Sequence, residues 1–98
     1  MPRPPYVEAI ERNDPALLRQ LTAVQEFVAQ EGALPAKVKV LMSMFADALL
    51  AHPDGVRALA DQARAVGATE DEIAETVRMA FLAGGLPALV TATRAYRK

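Results

Sequence analysis

Asp47 and His52 are the residues of this chain best suited to proton transfer. A carboxylate beside an imidazole orients the ring and fixes which nitrogen carries the proton. His52 is the only histidine, and Asp47 sits deep in the apolar run MSMFADALLAH. On one continuing helix, at about 100° per residue, five residues of separation would leave the two about 140° apart. Contact within a chain therefore requires the corner after the helix to turn His52 back. Contact between two chains is the other route. Arg57 and Arg64, on one face of the following helix, would then hold a small anionic substrate by charge-assisted hydrogen bonds. Structural readings stand beside this chemistry. His52, just past a helix end, can interact with free carbonyls. Asp47 can bond a neighbouring helix terminus, Asp54 can cap the next helix, and Asp61 can pair with Arg57 or Arg64.

Absent residues exclude whole classes of chemistry. The chain has no cysteine, which removes disulfides, thiolate nucleophiles and cysteine–metal sites. One histidine with scattered acids makes no metal-ligand pattern, so no metal and no cofactor are expected. The net charge is −1, with acids and bases interspersed and only five aromatic side chains. There is no basic block for phosphates and no stacking platform, so no nucleic acid partner is expected. Lys37, Lys39 and Asp47 interrupt the longest apolar run, so no membrane span is expected. The start, MPRPPYVEAIERN, lacks the apolar core of a signal peptide, and a cytoplasmic location is the expectation.

The elements that must position these residues are helices. Residues 1–12 form a proline-rich leader, with a short turn opened by Pro5 and running to Ile10. Residues 13–98 form a single helical domain. Asp14 and Pro15 start a helix as N-cap and first residue. Leu17, Leu21, Val24 and Val28 make its apolar stripe, and Gly32 ends it. The next helix starts at Leu34-Pro35. Its core stripe is Val38, Leu41, Met42, Phe45, Ala48 and Leu49, with Val40, Met44 and Ala51 turned toward other neighbours. His52-Pro53-Asp54-Gly55 is a corner, because proline cannot extend the helix before it but can open the next. Val56, Leu59, Ala60, Ala63 and Val66 mark that next helix, which ends at Gly67. Thr69 to Glu72 read as a capping box. Ile73, Val77, Ala80 and Phe81 are the buried face behind it. Gly84-Gly85 breaks this helix and Pro87 opens the last one. No alternating run suggests a strand. The fold class is all-α. With 52% hydrophobic residues in 98, one small core cannot hide all the apolar surface, so self-association is expected.

The frame LPAKVKVL, then GATEDEIAET, then AFLAGGLPALVTA, running without gaps from about Leu34 to Ala92, resembles the carboxymuconolactone decarboxylase family, which includes alkyl hydroperoxidase D (AhpD). The resemblance implies an AhpD-like bundle of five to six helices. It also implies assembly into dimers, trimers or hexamers that share apolar helix faces. Peroxidase members of the family carry C-x-x-C-x-x-x-H at the start of a helix and a glutamate one helix earlier. Those positions are occupied here by His52, Gly55, Leu59 and Val40. The lactone decarboxylases use a histidine at the position of Leu59. The thiol chemistry has no nucleophile and no electron store in this sequence.

Three functions follow as expectations. The first is an oligomeric, cysteine-free family member that binds a small molecule or serves in assembly, without thiol redox activity. In the second, Asp47 and His52 act on a small carboxylated or lactone substrate in a pocket between their two helices. The third is a role in peroxide defence that depends on a separate thiol-bearing partner.

Overall fold

The computed structural model describes residues 3–97. Its elements are α1 (Pro5–Asn13), α2 (Pro15–Ala29), α3 (Ala36–Leu49), α4 (Pro53–Ala65), α5 (Glu70–Ala92) and a 3-10 turn at Thr93–Ala95. The fold is all-α, and no strand occurs among the described residues. The chain forms two compact units, one ending at Gln30 and the other starting at Glu31. The division falls after α2.

In the first unit, Pro5 occupies the first turn of α1, which continues to Asn13. Asp14 closes α1 and opens α2. Its amide donates to the Ile10 carbonyl at 2.7 Å, and its Oδ1 accepts from the Leu17 amide at 3.1 Å. Pro15 follows as the first helical residue, where a missing N–H costs nothing. α2 ends at Ala29 because Gln30 is extended (φ −59°, ψ 139°); Gly32 lies beyond the helix and does not cap it. No residue of α2 is buried.

The second unit holds the core. α3 packs against both α4 and α5. Met44 and Ala48 of α3 meet Val56, Ala60 and Ala63 of α4 and Ile73, Val77, Ala80 and Ala92 of α5. Val56, Ile73 and Val77 are the largest branched side chains sealed inside. Removing each from water contributes about 1.5–3 kcal/mol. The expected stripe of α3 is corrected here. Met44 is sealed in the core at 2% exposure and Val40 packs on it, whereas Met42 and Leu49 are exposed. Phe81, also expected inside, is exposed as well.

α5 starts with the expected capping box. The Thr69 hydroxyl accepts from the Glu72 amide at 3.0 Å, and the Glu72 carboxylate accepts from the Thr69 amide at 2.8 Å. Gly85 (φ 76°, ψ −164°) breaks the helix, and Pro87 stands in the segment that resumes after it. One stretch, 70–95, is long and apolar enough to cross a membrane by length and composition alone. Ile73, Val77, Ala80, Ala88 and Ala92 place one face of that stretch in the protein interior.

Candidate functional site

The corner between α3 and α4 is built by the way α3 ends. The His52 amide donates to the Asp47 carbonyl at 2.9 Å, and the Ala51 amide donates to the Ala48 carbonyl at 3.3 Å. This pair of bonds is the Schellman motif, which needs one residue in the left-handed region. That residue is Ala51, at φ 61°. The motif fixes the residue after the turn beside the one five positions earlier. His52 is therefore brought back to Asp47, with Nδ1 at 3.4 Å from Oδ1. The 140° separation expected on a straight helix is cancelled by one left-handed residue.

His52 also serves as N-cap residue of α4, and its carbonyl accepts from the Val56 amide at 3.0 Å. Gly55 lies in the first turn of α4. A Cβ there would overlap the Asp47 carboxylate. The acid therefore rests on the positive end of the α4 dipole, where a negative charge is stabilised. The Asp47 side chain is 25% exposed and that of His52 62%. The pair is oriented, and the imidazole is open to solvent.

The two arginines separate. Arg57 is exposed on α4. Arg64, expected to bind substrate, is instead committed to the protein. Its guanidinium donates to both Glu70 oxygens at 2.7 and 2.9 Å, to Asp61 at 3.1 Å and to the Ala95 carbonyl at 2.7 Å. Its donors are used in joining the end of α4 to the start of α5 and to the final turn. The Glu70 hydrogen bonds raise the arginine above its ordinary range, and the Arg64 contact holds Glu70 below the usual carboxylate range. Asp54 does not cap α4 with its side chain and pairs with Arg94 at 3.6 Å.

A groove of about 420 Å³ lies elsewhere, between α3 and the first half of α5. Val38, Leu41, Met42, Phe45 and Met79 form its apolar body, and Glu72, Glu75 and Thr76 its polar edge. Its size falls within the range of small-molecule sites. The pocket expected between the helices of Asp47 and His52 is thus not where this concavity is found. The sequence did carry a signal for it. Val38, Leu41, Met42 and Phe45 follow helical spacing, but α3 is apolar on more than one side, and this side reads as core. Lys37 bonds Glu72 beside the groove at 2.9 Å. The Thr69 amide and Lys37 together hold the Glu72 carboxyl below its usual range.

Comparison with curated proteins and with solved structures gave no match. The model of the carboxymuconolactone decarboxylase family matches residues 15–98, and the chain belongs to that family.

Proposed function

We propose that this member of the carboxymuconolactone decarboxylase family binds a small molecule as a self-associated protein and performs no thiol redox chemistry. The α3–α5 groove is the observation that carries the reading: it is apolar, open, of ligand size and edged by few polar groups. The corner supports the loss of peroxidase chemistry. In the resemblance, His52 and Gly55 stand at the two cysteine positions, and the space beside Gly55 is filled by Asp47. Leu59, half-buried against the core, stands at the family histidine position. Self-association has its own support. Leu49 and Leu50, at the end of α3, and Phe81, Leu82, Leu86 and Val90 on α5, outside the groove, are uncovered. Apolar area on this scale marks an interaction surface.

Peroxide consumption with a dithiol donor is the first test, and the expected rate equals the buffer blank. A rate above the blank ends the non-redox reading and revives peroxide defence with external thiols. Light scattering at micromolar concentration tests assembly, and a monomer there removes the self-association part.

A second reading is favoured by the 3.4 Å contact of His52 with Asp47. Here the pair transfers a proton on a small carboxylated or lactone substrate, with Arg57 as the anion-binding group. The only histidine gives an unambiguous NMR signal. If its titration curves in the wild type and in Asp47→Asn superimpose, the pair is structural and this reading falls.

A further inference from the structure

The groove between α3 and α5 has a polar edge of one kind, and that edge selects for charge. Glu75 is exposed at the rim and its carboxylate can only accept hydrogen bonds. Thr76 already gives its hydroxyl hydrogen to the Glu72 carbonyl at 2.9 Å, so toward the groove its oxygen offers lone pairs. Glu72 accepts from Thr69 with one oxygen and from Lys37 with the other. No lysine or arginine is among the groove's lining residues. Lys37 is held by Glu72. Arg78, three residues after Glu75, is its neighbour on the exposed surface of α5 but is not among the residues lining the groove. A ligand with an anionic head would meet Glu75 with no cationic side chain among the lining residues. A ligand with a donor head would complete the edge.

The body of the groove sets the other end of the ligand. Its apolar side chains come from α3 and from Met79. Met42 and Met79 are unbranched thioethers that adapt to irregular apolar shapes. We infer that the groove binds an apolar molecule carrying a cationic, hydrogen-bond-donating head, of which a primary alkylamine is the simplest example. This inference rests on the small-molecule reading above and narrows it to a ligand class. It also separates the groove from the anionic substrate assigned to the Asp47–His52 corner.

Methionine methyl NMR tests it directly. Met42 and Met79 line the groove, while Met44, at 2% exposure, reports on the core. The probes are hexylamine, hexanol and hexanoate at neutral pH. Hexylamine is expected to move the Met42 and Met79 signals in a saturable way and leave Met44 in place. Glu75→Gln is expected to weaken that binding about tenfold, which is about 1.4 kcal/mol. Hexanoate binding as tightly as hexylamine overturns the head-group inference while leaving small-molecule binding intact. So does a Glu75→Gln variant that binds the amine like wild type. If none of the three probes moves the groove methionines, both the inference and the small-molecule reading fail. Groove signals that shift on dilution before any probe is added assign the groove to a contact between copies, which also overturns the inference.

Discussion

α3 and α4 end in the same hydrogen-bond pattern, with different residues at the turn. At the end of α4 the Ala68 amide reaches the Ala63 carbonyl and the Gly67 amide reaches the Arg64 carbonyl. Gly67 takes the left-handed position at φ 100°, a conformation open to glycine at no steric cost. At the end of α3 the same position is Ala51, for which a left-handed backbone costs about 1–2 kcal/mol. The surroundings differ in kind. The glycine corner is spanned by Arg64, which ties four partner atoms together in a structural clamp. The alanine corner brings a carboxylate and an imidazole together beside solvent. Backbone strain held in place by its neighbours gathers at functional sites. The comparison therefore marks the first corner as the one to probe for chemistry and the second as the one to probe for stability.

The largest expected effect comes from Gly55→Ala, because the added methyl meets the Asp47 carboxylate, which must move aside. Overpacking of this kind costs about 1–3 kcal/mol. Urea unfolding should show it, and the His52 signal should shift as Asp47 is displaced. An unchanged midpoint and signal would mean that Asp47 does not rest on α4. Gly67→Ala comes next, with a loss of about 1–2 kcal/mol for forcing a side chain into the left-handed region. Ala51→Gly is expected to act in the opposite direction. Relief of strain outweighs the added freedom of the unfolded chain, for a net gain of about 0.5–1 kcal/mol. A loss of stability in Ala51→Gly would break the comparison, since it would show that the alanine turn carries no strain.

The smallest effect is the acid limb of the stability profile. Glu70 is held below the usual carboxylate range chiefly by Arg64, and Glu72 chiefly by the Thr69 amide and then by Lys37. Each binds its proton more weakly when folded than when unfolded. Their contribution is thus complete above the unfolded value of about 4.3 and is lost as pH falls through the lower folded values. Thermal melts between pH 6 and 2.5 should show a shallower decline in Glu72→Gln than in wild type. Parallel declines would remove the carboxylate from that account.

Much of the fold was legible because local chemistry and tertiary packing agree at its helix ends. Asp14-Pro15, Pro53, Thr69 to Glu72 and Gly67 each start or stop a helix where expected. The boundary at Gly32 was missed because Gln30 leaves the helix by an ordinary extended conformation that any residue adopts. The corner geometry was hidden for a related reason: a left-handed turn is anticipated at glycine, and the sequence has alanine there. Residue spacing alone then places His52 on the far side from Asp47. The groove was hidden by α3 itself. Val38, Met42 and Leu49 on one side and Val40, Met44 and Ala48 on another are all apolar. Only the positions of α4 and α5 decide which set is enclosed. Arg64 was visible as a cation but not as a clamp, because its partners at Glu70 and Ala95 lie on other elements.

The methionines leave the protein a sulfur chemistry although it has no cysteine. Met42 and Met79 are half exposed on the groove, and Met44 is sealed in the core on another side of α3. Peroxide transfers one oxygen to an accessible thioether and leaves as water, converting a flexible apolar group into a polar sulfoxide. Oxidation would therefore wet the groove and spare the core, so that oxidant damage to this protein would be written as lost affinity before it became lost structure.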